Sequence, residues 1–234
     1  MRSLFFGAAL LFLSGSVSAR FEVGVNGGTS TTTRPVKSLY TGNKNVWNYA
    51  ADLNFRYNFS EHWQVGLSAG MTKWQRKGEW ELTHTAGDSL STEDVKFVLA
   101  QRAVSFALQL NHVIPFYERY EHYVKSQVYF GLSAGAVIVG NDGDVIYSKV
   151  NANTPVEYTY TSEFHYESGY GMLLGAQVGY TYYLNHRWGL NLEFAPKVAW
   201  VRTYDSRYAG ANNQYSVWYL PTTVGLHFRF GGDI

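Results

Sequence analysis

Trp47-Asn48-Tyr49-Ala50-Ala51-Asp52-Leu53-Asn54-Phe55-Arg56-Tyr57-Asn58-Phe59 is the stretch whose reading decides the fold. Every odd position is apolar or aromatic, and the even positions are polar or charged except for Ala50. A period of two means a strand with one greasy and one polar face. Thirteen residues is long for a soluble strand, where about five or six is usual. It is ample for a tilted strand crossing a bilayer, which needs roughly nine to eleven. The pattern predicts that Trp47, Leu53 and Phe59 face lipid, and, on later strands, Phe130 and Leu192 as well.

The alternation recurs on both sides of this stretch. Before it, a first strand is expected from Phe21 to about Gly28, then a Thr-rich polar loop to Asn45. After a turn at Ser60-Glu61-His62, a third strand starts at Trp63 and continues past Lys73 through Trp74 and Trp80 to Ala86-Gly87-Asp88. The fourth returns with Val95, Phe97 and Leu99, then changes phase to Val104, Phe106 and Leu108. An extra residue changes phase, which predicts a β-bulge near Gln101. A ring-rich connection from His112 to His122 leads into the fifth strand (Val128, Phe130, Leu132), and Met172, Leu174 and Val178 mark the sixth. Trp188, Leu190 and Leu192 mark the seventh, and Trp218, Val224 and Phe230 the eighth. Pro196 and Pro221 interrupt the last two, where each removes a ladder donor, and are read as bulges near the rim. Turns are mostly short at one end, and long loops near 29–45, 75–94, 140–165 and 203–214 occupy the other, the asymmetry of an outer-membrane barrel.

Residues 1–19 are of another kind. Arg2, the apolar run Leu4 to Leu13 and the small-residue site Val17-Ser18-Ala19 predict a cleaved signal peptide, with the barrel domain over residues 20–234. The remaining 215 residues carry 18 basic and 18 acidic side chains, a balance that argues against nucleic acid as a partner. There is no cysteine, which excludes a lipid-attachment cysteine, thiolate metal sites and thiol catalysis. Nineteen Tyr and seven Trp suit membrane interfaces. The mean hydropathy of −0.21 is no objection, since barrel strands give only alternate residues to lipid.

The eighth strand ends on Thr223, Gly225, Phe228 and Phe230. A polar residue, a glycine two further on and two aromatics spaced by one resemble the C-terminal assembly signal of outer-membrane barrels. That signal usually ends the chain, whereas here Gly231 to Ile234 follow. With the signal peptide and eight strands, the chain is similar over its mature length to the small OmpX/OmpA-type barrels. The resemblance implies an all-β, transmembrane antiparallel up-and-down barrel of eight strands. It also implies outer-membrane residence, contact with outer-membrane lipids, and the barrel assembly machinery as a partner.

An eight-stranded barrel has an interior that side chains just fill. Asp52, Arg56, Lys125, Glu193, Lys197 and Arg229 fall on inward positions, with His227, Gln64, Gln109, Gln127, Gln177 and Asn191 among them. Buried charges are expensive unless paired, so this polar network reads as a salt-bridged plug, with a conducting lumen as the rival. Inward glycines (Gly66, Gly70, Gly131, Gly135, Gly171, Gly175, Gly179) are expected to leave local room for water.

Catalysis finds weak support. Glu163, His165, Glu167 and Ser168 offer the groups of a lipid A-modifying hydrolase, but residues three apart on a strand face opposite sides. Asn141-Asp142-Gly143-Asp144 has two carboxylates about a glycine yet lacks the further acids of a calcium loop; Asp-Gly is first a turn or bulge signal. No enzyme activity, metal or cofactor is expected. The third outer loop, with its apex at Asn151 to Pro155, keeps alternation in both arms, and the tall hairpin presents Tyr147, Tyr158 and Tyr160. Projecting strands with open edges can pair with another backbone. The expected role is therefore structural or adhesive, toward a surface protein or matrix ligand, in a monomer. A narrow porin-like channel and a lipid-modifying enzyme are the alternatives.

Overall fold

The computed structural model describes residues 20–35, 47–86, 89–118, 124–141, 145–151, 159–162, 168–204 and 212–230. The signal-peptide and cleavage reading, Asp142 to Asp144, Tyr158 and residues 163–167 lie outside them. The strands are β1 (Arg20–Pro35), β2 (Trp47–Asn58), β3 (Trp63–Ala86), β4 (Ser89–Tyr117), β5 (Val124–Asn141), β6 (Val145–Asn151), β7 (Thr159–Ser162), β8 (Gly169–Tyr183), β9 (Trp188–Phe194), β10 (Lys197–Tyr204) and β11 (Asn212–Phe230).

Antiparallel ladders run β1–β2–β3–β4–β5–β8, then to β9 and β10, then to β11. The pairing of β1 with β11, Phe21↔Phe230 to Pro35↔Val217, closes the ring. Since β9 and β10 are two halves of one wall strand, the ring has eight strands, up and down. Closure leaves no backbone edge inside the bilayer, the condition a β chain must meet there. Alternation places one face outside: Trp47, Leu132 and Met172 are about 70 % exposed, as no soluble core residue would be. Phe130 and Leu192 are exposed on the same outer wall, while Leu53 and Phe59 are half-buried. Such a closed ring with an apolar outer belt is a transmembrane barrel of the outer-membrane type.

Several details depart from the pattern reading. The first strand runs to Pro35 rather than stopping near Gly28, because its upper residues find partners on β11 and β2. There is no bulge in the fourth strand near Gln101: β3 and β4 stay in one register from Trp63↔His112 to Ala86↔Ser89. The extra residue is on the facing strand. Three residues separate Asn141 from Val145 where only two separate Gln101 from Val98. Pro196 and Pro221 are neither bulges nor near the rim. The registers of β9 and β10 against β8 and β11 continue unchanged across them. Ala176 N–H still donates to Pro196 O, and Ala195 N–H to Pro221 O, each at 3.0 Å. Each proline therefore removes one bond from its pair and leaves the other in place.

The fourth difference concerns the outer hairpins. The tall hairpin β6–β7 does not stand alone: β6 pairs with the outer part of β4, from Thr92↔Asn151 to Val98↔Val145. Together β3, β4, β6 and β7 make one sheet rising from the barrel wall. Neighbouring strands that leave the membrane side by side satisfy each other's backbone groups before any outside partner does.

Candidate functional site

The interior has two layers. Toward the short-turn end it is polar and ionic; toward the long-loop end an apolar cluster stands beside buried Ser30, Thr32, Asn48, Thr72, Gln101 and Ser105. The ionic layer is built from inward positions of β1, β2, β5, β8, β9, β10 and β11. Arg56 Nη2 on β2 lies 2.5 Å from Glu193 Oε2 on β9, with both side chains almost wholly buried. The same Arg56 nitrogen donates to Tyr129 Oη at 3.0 Å, and the Tyr129 hydroxyl donates to Glu193 Oε2 at 2.7 Å. The Arg56 guanidinium also sits 4.3 Å from the Tyr129 ring centre, a cation–π contact. Asn191 Oδ1 is 3.0 Å from the Tyr129 hydroxyl and accepts from Thr181 at 2.9 Å.

A second cluster adjoins it. Glu22 on β1 stands between Arg56 and Arg229 in the two ladders of its strand. Its Oε1 accepts from Arg229 Nε (3.1 Å) and Nη2 (2.9 Å) and from the Tyr183 hydroxyl (2.6 Å). His227 Nδ1 lies 4.0 Å from Glu22 Oε2. Higher up, Asp52 accepts from Asn26 at 2.9 Å and from Asn54. Lys197 is buried on β10, its stem lying against Gly175. Three carboxylates (Glu22, Asp52, Glu193) thus share the interior with three fixed cations (Arg56, Lys197, Arg229).

Lys125 does not join them. A register shift between Phe116 and Tyr117 makes Lys125 the surplus residue of its ladder and turns it out of the lumen phase. It sits at the short-turn rim, 3.5 Å from Glu118 and 5.4 Å from the Tyr182 ring centre. Glu22 and Tyr183, absent from the sequence reading of the network, are both in it. Glu22 alternates with Phe21 and Val23, so its inward placement was readable; that Arg229 would be its partner was not.

Gly179, one of the inward glycines expected to leave room, leaves none, and Gly24 and Gly189 behave in the same way. A Cβ on Gly179 would stand 2.2 Å from the Tyr129 ring, one on Gly24 2.3 Å from the His227 ring, and one on Gly189 2.9 Å from the Tyr183 ring. In each case the ring belongs to the residue directly opposite in the ladder. Glycine here is a seat for a neighbour's ring. Tyr129 reaches Glu193 only by crossing the bare backbone of Gly179.

Above the ionic layer Trp74, Val137, Leu173, Val201, Val217 and Tyr219 form one apolar cluster, with Trp74 and Tyr219 ring centres 5.5 Å apart. The sequence does carry a signal for this layer. In Val137-Ile138-Val139, Met172-Leu173-Leu174 and Trp200-Val201 both parities are apolar, the mark of a strand buried on two faces. Among the described residues no three His, Cys, Asp or Glu side chains come together as a metal would need.

Thr223, Gly225, Phe228 and Phe230 lie on the closing strand. Thr223 faces the interior, Phe230 faces out, and the Phe228 ring packs edge-on against Trp188 (4.8 Å) and Phe230 (4.6 Å). A Cβ on Gly225 would meet Asn26 Oδ1 at 2.0 Å and Val25 O at 2.2 Å, across the seam that closes the ring. Gly225→Val is therefore expected to lower the unfolding midpoint of the refolded barrel. Phe230→Ala, on the outer wall, should slow insertion into vesicles with little change in that midpoint. Equal behaviour of the two variants would remove the distinction.

Of the adhesive candidates, Tyr147 pairs with Lys96 and Thr161, and Tyr160 with Ser148. Strand β6 is thus flanked on both sides over residues 146–149. Ser168, from the hydrolase cluster, is exposed beside β8.

No protein-family model matches the chain, and no curated protein matches it. Solved structures do. The crystal structure of Neisserial surface protein A is 12 % identical, with 90 % of this chain and 97 % of that one covered and a TM-score of 0.43. The outer membrane protein OprG of Pseudomonas aeruginosa is 16 % identical, with 90 % and 96 % covered and the same TM-score of 0.43. Ail, the attachment invasion locus protein of Yersinia pestis, was solved with the heparin analogue sucrose octasulfate. It is 14 % identical, with 92 % and 100 % covered and a TM-score of 0.36. At these identities and scores no ligand or activity transfers. The barrel assignment stands on this chain's own ladders and outer belt.

Proposed function

We propose that this protein is a closed, non-catalytic outer-membrane barrel that carries a raised sheet for attachment to a surface protein or matrix ligand. The observation behind this reading is the outer sheet. Pairing of β3 with β2 ends at Thr72, whereas its pairing with β4 continues to Ala86. At about 3.3 Å per residue this is roughly 40–45 Å of strand beyond the apolar belt. Strands β6 and β7 widen it on one side. A strand ladder so far above the membrane does nothing for the wall, and an edge strand is a template for another chain's backbone. The interior supports the same reading: a paired ionic network with an apolar cluster above it favours a plug over a conduit.

Replacing residues 146–160 by a short Asn-Gly turn should leave the barrel folded by its heat-dependent gel shift and abolish most attachment to host cells or matrix. Planar-bilayer recording of the intact protein should show no steady conductance. Unchanged attachment by the folded, shortened barrel would end the adhesive reading, and a steady conductance would favour the narrow channel.

A further inference from the structure

The outer wall changes character over β3, β4 and β5. On other strands the long-loop rim of the apolar belt carries aromatic rings that face outward: Tyr49 on β2, Tyr170 on β8, Trp200 on β10 and Trp218 on β11. Rings of this kind sit at headgroup level. On β3 the outward series runs Trp63, Val65, Leu67, Met71, and the next position is Lys73. On β4 it runs Leu110, Leu108, Phe106, Val104, and the next is Arg102. Lys73 and Arg102 face each other directly in the ladder, and Arg102 in turn faces Gly140 on β5. A Cβ on Gly140 would meet nothing within 4 Å, so open space lies beside the Arg102 backbone. Two cations side by side at headgroup level suit a phosphate that reaches both. Below the three positions lie Met71, Val104 and Ile138, which face one another in the same ladders and offer an apolar surface to acyl chains.

We infer that Lys73, Arg102 and the bare backbone at Gly140 form a headgroup site for a phosphorylated glycolipid of the outer leaflet. Arg102 supplies a planar fork suited to phosphate, Lys73 a point charge, and Gly140 the space for the headgroup. Both cations also interact within the chain, so the lipid is an additional partner and not a first one. The site rests on the proposed orientation, with the long-loop end outside.

The test is native mass spectrometry of the full-length barrel in detergent, titrated with bisphosphorylated lipid A or with lipid A stripped of both phosphates. Wild type should retain the phosphorylated lipid and bind the stripped one far more weakly. Lys73→Gln/Arg102→Gln should weaken retention roughly thirtyfold, from about fivefold per cation near an anionic surface. Gly140→Leu, which keeps both cations and fills the space, should weaken it too. The gel shift checks folding of each variant. Equal affinity for the two lipids, or unchanged affinity in the folded double variant, overturns the site. Lys125→Gln at the opposite rim should change nothing. A loss confined to that variant would overturn the site by inverting the barrel, independently of the attachment assay.

Discussion

Arg56→Met should destabilise the barrel by about 3–5 kcal/mol, the usual effect of stranding one partner of a buried ion pair. Glu193 would lose its ion-pair partner with only 4 % of its side chain exposed, and Tyr129 would lose both the Nη2 donor and the cation over its ring. Guanidinium unfolding of the protein in lipid vesicles measures the change. Arg56→Met/Glu193→Leu should recover most of the loss, because an apolar pair of similar volume carries no stranded charge. A double variant as unstable as the single one would show that the loss comes from packing around Tyr129 and not from charge. Asp52→Asn serves as the milder comparison. Asp52 is held by two asparagine donors and not by a contact ion pair, so its effect should be the smaller.

Leu132→Arg should cost about 2–4 kcal/mol, the range for a cation at the lipid-facing midplane of a barrel. Leu132 is 70 % exposed and lies between Leu110 on β4 and Ala176 on β8, midway along the outer wall. A soluble barrel would accept arginine at so exposed a position with almost no change, so the substitution separates lipid from water as the outer solvent. Arg102, at the rim of the same wall, shows what the belt tolerates at headgroup level. The measurement is again unfolding in vesicles, with Arg102→Leu as the opposite exchange. A folded Leu132→Arg barrel of undiminished stability would mean that this wall does not meet lipid.

How far each feature could be read depended on its range along the chain. Residues 47–59 show their two faces directly, because side chains alternate on any strand regardless of its neighbours. The inward placement of Arg56, Glu193, Lys197 and Arg229 followed in the same way. Lys125 did not follow, since one surplus residue opposite Tyr117 reverses parity and leaves no mark in the alternation around it. At Gln101 the error ran the other way. A change of apolar phase looked like an inserted residue, yet above the belt no lipid obliges apolar residues to keep one face. Pro196 and Pro221 were recognised as breaks in donor supply, and only the ladders reveal that each break is confined to a single hydrogen bond.

The eight-stranded transmembrane wall was thus determined by the sequence itself, because its outer solvent imposes a period of two on every crossing. Tertiary structure alone decided what lies within that wall and above it. Glu22 meets Arg229 across 207 positions of sequence, Arg56 meets Glu193 across 137, and the Tyr129 ring finds its seat on Gly179 fifty residues away. The pairing of β6 with β4, which turns two hairpins into one raised sheet, is of the same kind. Solvent acts on each residue separately and writes a periodic pattern, whereas an ion pair, a ring seat or a ladder depends on which strands closure brings side by side.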